Sequence, residues 1–229
     1  MAAAVTVLCA VLGVPGGMLV NLLIDRIPDR QPLRPLPSLR SLVASTQALI
    51  VIAVTAGLFA GTALRFGTDW AVPAYLVFFV CLVSVSVIDS QHQIIPNLIV
   101  YPTGFASVPL LALAALAGGE WDRFGHAVLG ATLAFLVLLV IHLIMPSGMG
   151  FGDVRLTFVL GLFLGWISLG HVVTGILLGF VLISVLGIVL AALRLRRMQE
   201  YIAFGPSLAL GATIAVFAGR AIIRWWMGG

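Results

Sequence analysis

Two of the eight acidic side chains in this 229-residue chain stand where an acid is costly. Asp89 closes an apolar run in CLVSVSVIDSQHQIIPN, and Asp153 opens another in GMGFGDVRL. The other six, Asp25, Asp29, Asp69, Asp122, Glu120 and Glu200, lie in or beside polar loops, where a solvated charge is the ordinary reading. An ionisable group at the edge of hydrocarbon is expensive to keep, and function is the default hypothesis for it. The plainer reading of either acid alone is an interfacial cap, with Asp153 placed at the start of a helix whose dipole favours an anion. Together they suggest more. Two carboxylates in a poorly solvated pocket do not both ionise easily, so one keeps a proton while the other stays charged. The charged member can then take a proton from an attacking water, and the protonated member can support the oxyanion or leaving group.

Bringing Asp89 and Asp153 together is a task for membrane helices. The chain is 62% hydrophobic and 9% charged, with a mean hydropathy of +1.20, outside the range of soluble domains. Runs long enough to cross a bilayer fall near residues 2–24, 42–64, 71–88, 98–117, 126–145, 154–170, 172–193 and 206–223. The expected fold is therefore all-α, a polytopic membrane bundle of about eight helices in a single integral domain over 1–229. Ser168, Gly170 and His171 mark the division between the sixth and seventh runs. The first run has its basic residues after it and not before, so it reads as a retained span and not a cleaved signal. Asp89 follows three crossings and Asp153 five, which puts both on one membrane face in either orientation. With the amino terminus outside, eight arginines (26, 30, 34, 40, 155, 194, 196 and 197) are cytoplasmic and four (65, 123, 220 and 224) are external. That bias favours this orientation and makes the face of the two acids cytoplasmic.

The net charge of +4 thus describes an anchor to the lipid bilayer. No basic run interleaves with aromatic residues, so nucleic acid is not an expected partner. Residues 25–41, with four prolines and four arginines, read as a short extended cytoplasmic loop. Cys9 and Cys81 lie inside apolar runs in no ligand spacing, so neither a disulfide nor a metal is expected. Trp in RFGTDW and GGEWDRFG suits a membrane boundary. Gly161, Gly165, Gly175 and Gly179, at four-residue spacing within the sixth and seventh runs, suit close helix packing.

The glycines around Asp153 suit a protease that receives extended chain, the plainer reading being a merely flexible loop. A helix hides its carbonyls in its own hydrogen bonds, so a peptide to be cut must be received extended. Gly148, Gly150 and Gly152 lack Cβ atoms, permit positive φ and let another backbone approach. Pro96 and Pro146 interrupt their neighbourhoods. These residues resemble the type IV prepilin peptidases, membrane aspartyl proteases of the GxGD class. Gly150-Phe151-Gly152-Asp153 supplies GxGD, and Val154-Arg155-Leu156 is similar to the family's VKL with Arg for Lys. Asp89, His92, Pro96 and Asn97 fit a second pattern in order. GGMLVNLLIDRIP resembles a GSFLNV-x-x-x-R-x-P signature through Gly17, Asn21, Arg26 and Pro28, with Met18 where Ser is usual. FGPSLALGA, residues 204–212, is similar to FGPFLALGA.

The resemblance implies an endopeptidase that removes the short basic leader of prepilins or pseudopilins at the cytoplasmic face, just ahead of their single hydrophobic helix. Asp89 and Asp153 would be its catalytic pair, and Gly150, Gly152, His92, Pro96 and Arg155 would bind substrate or shape the site. The enzyme would reside in the inner membrane. Many members also methylate the new amino terminus with S-adenosylmethionine. They carry a larger cytoplasmic domain with paired CxxC zinc motifs between the first two spans, where this chain has the loop 25–41. Methyl transfer is therefore left open, proteolysis needs no cofactor, and no zinc is expected. Two other readings use the same acids. A presenilin-like protease would carry YD and PAL, whereas Ile88 precedes Asp89 and residues 205–210 read GPSLAL. A proton- or cation-coupled transporter would place its acids near mid-bilayer, often with repeat symmetry. Among the remaining polar residues, Asn21 suits an interhelical hydrogen bond, His126, His142 and His171 suit packing or interface roles, and Arg194, Arg196 and Arg197 suit contact with anionic lipid.

Overall fold

The computed structural model describes residues 2–28, 42–146, 148–192 and 203–227. Eight helices run through them: α1 (Ala2–Arg26), α2 (Thr46–Phe66), α3 (Val72–His92), α4 (Asn97–Gly118), α5 (Trp121–Ile144), α6 (Phe151–Ile167), α7 (Leu169–Ala192) and α8 (Gly205–Met227). All but α6 are long and apolar enough to cross a bilayer, so the chain is a multi-pass, all-helical membrane protein. At 17 residues, α6 is about 26 Å long, short of the roughly 30 Å of hydrocarbon. It stops where Ser168 turns to extended backbone, φ −176° and ψ 160°. The Ser168 hydroxyl accepts the His171 N–H at 3.3 Å and pairs with His171 Nδ1 at 2.7 Å. The break between α6 and α7 therefore lies at Ser168, and Gly170 and His171 already belong to the new helix.

The helices form two compact units. The first comprises the residues up to Ile88 together with 96–121. Within it, α1 lies directly against α2. A Cβ on Gly13 would overlap the backbone of Ala56, and one on Gly17 would come 2.5 Å from Ile52 Cα. Lipid gives helices no hydrophobic reason to associate, so close backbone approach at small residues supplies the attraction. Asn21 joins the same pair by donating from Nδ2 to the carbonyls of Leu42 (3.0 Å) and Ala48 (3.2 Å). This is the interhelical role expected of it. Buried hydroxyls such as Thr55 satisfy themselves on the carbonyl four residues back, here Val51 at 2.8 Å, as water-free surroundings demand.

The second unit comprises residues 89–95 and those from Asp122 onward. Its centre is α6, with twelve buried residues from Asp153 to Trp166. A Cβ at Gly161 would lie 2.5 Å from Gly130 O of α5, and one at Gly165 would lie 2.5 Å from His126 O. Between α7 and α8, Gly211 faces Gly175 and Gly179 in the same way. The four-residue glycine spacing is thus used for packing. Trp70 and Trp121, before α3 and at the start of α5, are exposed. Most of the loop expected over 25–41, and Arg194, Arg196 and Arg197, lie outside the described residues.

Candidate active site

Asp89 lies in the last turn of α3, which stops because Gln93 adopts a left-handed conformation, φ 54°. The Gln93 N–H closes the helix on the Asp89 carbonyl at 2.9 Å. Such a backbone costs a non-glycine residue on the order of 1 kcal/mol, so neighbouring contacts must hold it. One such contact is Ile95, carried by the turn onto the first turn of α6. A Cβ on Gly152 would sit 2.8 Å from the Cβ of Ile95. The segment after Asp89 and the residue before Asp153 are therefore packed together, and a bare glycine makes room for it.

On the other side, α5 ends at Ile144, two residues ahead of Pro146, which cannot continue a helix. The connecting loop is held at Met149, whose buried carbonyl accepts from His142 Nδ1 at 2.8 Å. A carbonyl only accepts, so Nδ1 carries the proton. Gly150 then caps α6 with extended backbone, φ −68° and ψ 148°. Asp153 is the third residue of the helix, and its N–H donates to the Gly150 carbonyl at 3.1 Å. A carboxylate here faces the unpaired N–H groups of the first turn. Gly150 and Asp153 itself supply the N–H groups that bear on it.

Positive φ, expected as a use of Gly148, Gly150 and Gly152, is not adopted by any of them. Gly152 serves close approach instead, and Gly150 serves as an extended cap.

Both acids are buried, with Asp89 4% and Asp153 2% exposed. Both belong to the second unit, where the Ile95–Gly152 contact joins the segments that carry them. Each is held differently. Asp89 Oδ2 accepts the backbone N–H of Gly205 at 2.9 Å, whereas Asp153 Oδ1 is buried without a hydrogen-bond partner among the described residues. An orphaned carboxylate oxygen costs free energy, and a water or a shared proton at the site would satisfy it. A cavity of about 310 Å³, lined in part by Met149, Phe180 and Phe204, borders the segments leading to Asp153 and Gly205.

The other candidates have their own settings. His92 is exposed at the end of α3, and Asp89 is held by Gly205 and not by it. The Arg155 guanidinium lies over the Phe151 ring, 4.5 Å from its centroid. Pro96 caps the start of α4 in the first unit. The sequence assigned no role to Gly205, and it suggested a packing or interface role for His142. The FGPS motif marked the first, but its partner lies 116 positions away. Among the described residues no group of three His, Cys, Asp or Glu gathers as a metal site requires.

The model of the type IV leader peptidase family matches residues 76–195, which include both acids. The chain is 32% identical over 183 residues to a prepilin leader peptidase/N-methyltransferase of Aeromonas hydrophila, covering 78% of this chain and 60% of that one. A protein of the same name from Bacillus subtilis is 34% identical over 176 residues, 76% of this chain and 67% of the relative. One from Pseudomonas aeruginosa is 30% identical over 197 residues, 83% and 64% respectively. The chain thus spans about 60% of the length of the first of these relatives. No solved structure matches it significantly. The matched segment runs through the turn after Asp89, the GxGD cap of α6 and the whole of α7, and by that match the chain belongs to the type IV leader peptidase family.

Proposed function

We propose that the chain is an endopeptidase that removes the basic leader of prepilin-like precursors, with Asp89 and Asp153 as a two-carboxylate catalytic unit. The observation that carries this reading is two buried carboxylates on segments packed together through Ile95 and Gly152, one with an oxygen that has no hydrogen-bond partner among the described residues. A water between them loses a proton to the charged carboxylate as it attacks the peptide carbonyl. The protonated carboxyl gives its proton to the carbonyl oxygen, forming a gem-diol. As the C–N bond breaks, the carboxyl that took the water's proton passes it to the leaving amine and the other carboxylate recovers a proton from the gem-diol. The proton belongs to the pair, so its titration is shared and not assigned to one residue.

The substrate is an extended segment followed by a hydrophobic helix lying in the bilayer. The cavity beside Met149 and Phe204 suits an apolar side chain next to the cut bond. The arginine bias supports cleavage at the cytoplasmic face, in what would be the inner membrane. Gly150 and Gly152 shape the site through the cap and the Ile95 contact, and His92 and Arg155 are candidates for contact with the substrate. Proteolysis needs no cofactor. Methyl transfer, the second activity in the relatives' name, would use S-adenosylmethionine and would appear as a heavier product by mass spectrometry.

The test is cleavage of a prepilin-like peptide by protein reconstituted in liposomes. Asp89→Asn and Asp153→Asn should each lower kcat by at least about 10²- to 10⁴-fold, the usual scale of acid–base catalysis, while the protein stays folded in the membrane. Full cleavage by either variant rejects the assignment. Ion flux without cleavage would point instead to a transporter.

A further inference from the structure

Asp89 is badly placed with respect to its own helix. It lies in the last turn of α3, where the carbonyl end of a helix carries partial negative charge and disfavours a carboxylate. The compensation comes from α8, whose first residue is Gly205. The opening N–H groups of a helix lack internal partners, and that end carries partial positive charge. The Gly205 N–H meets Asp89 Oδ2 at 2.9 Å. The next residue, Pro206, has no N–H to offer.

Gly205 is also the residue type that the contact requires. A Cβ there would fall 2.8 Å from Asp89 Oδ2 and 3.2 Å from its carboxyl carbon, so a side chain and the hydrogen bond compete for one space. The head of α8 is fixed from behind by Phe204, which is buried and packs on Phe180 of α7 with ring centroids 5.1 Å apart.

We propose that Gly205 is a positioning residue for Asp89, its bare backbone N–H holding one carboxylate oxygen and leaving the other turned to the reaction. The proposal rests on the two-carboxylate reading above. A hydrogen bond to a charged group is strong enough that losing it costs about ten- to a hundredfold in rate.

Kinetics of Gly205→Ala in liposomes, normalised to folded protein, test this. The expected result is a fall in kcat of that size, KM within about twofold, and a displaced acid limb in the pH–rate profile. Gly211→Ala is the control. Its Cβ would meet Gly175 O and Gly179 N at 2.5 Å, disturbing α7–α8 packing away from Asp89. It should lose thermal stability while keeping kcat and the pH profile. A Gly205→Ala enzyme with wild-type kcat, or equal kinetic losses in both variants, overturns the proposal. Should Gly205→Ala not fold, hydrogen exchange decides. The Gly205 amide should exchange slowly in the wild type and faster in Asp89→Ala, and equal rates overturn the proposal. An active Asp89→Asn enzyme would instead remove the catalytic reading itself.

Discussion

At the scale of single residues, the site is built from small groups that leave room for others. Gly152 has no space for a methyl because Ile95 occupies it, and this contact ties the turn after Asp89 to the residue preceding Asp153. Gly152→Ala should therefore reduce cleavage by about tenfold or more through misplaced carboxylates, and Ile95→Gly, which removes the offending Cβ, should restore part of it. Leader-peptide assays of both single variants and the pair would check this, since coupled residues are non-additive. Equal losses with and without Ile95→Gly would sever the link. The two acids were legible in the sequence because each stands at the end of an apolar run on the same side by parity. The way each is held was not. Gln93 is no habitual turn residue, so its left-handed φ of 54° has no signal in the local sequence. Gly205 reaches Asp89 across 116 positions, a separation at which spacing says nothing about contact.

At the scale of elements, eight apolar runs became eight helices with small shifts at their ends, because about 20 residues of hydrocarbon-compatible chain leave the backbone no alternative to a helix. The exception in length is α6, whose 17 residues run from the Gly150 cap to Ser168. Its polar first turn and its burial mark it as the element that carries Asp153 and not simply one more crossing. Its position depends on α5 through Gly161 and Gly165. Gly161→Val should be overpacked against Gly130 and Ala131, costing about 1–3 kcal/mol. A thermal unfolding scan in detergent should show a lowered midpoint, and cleavage should fall with it because α6 places the acid. An unchanged midpoint would mean that α5 and α6 are not held by this contact. That glycines served helix packing was legible from their four-residue spacing, whereas which helix faced which was not, since spacing names a face and not its partner.

At the scale of the whole molecule, the expectation is a membrane enzyme with its acids on the arginine-rich side. Both native cysteines are buried, so a single Cys replacing exposed His92 can report the side directly. In right-side-out cells a membrane-impermeant thiol reagent should leave it unmodified, and in inverted vesicles it should react; labelling from outside would reverse the orientation. The family was legible in four short motifs spread through the chain, and the type IV leader peptidase match covers two of them. The central claim is that Asp89 and Asp153 act as one unit, and kcat for prepilin-peptide cleavage by Asp89→Asn, Asp153→Asn and the double variant tests it most directly. Residues that share one proton fail together, so the double variant should be no slower than either single variant beyond a few-fold, all near the uncatalysed rate. Losses that multiply in the double variant, or a single variant that still cleaves well, would contradict it.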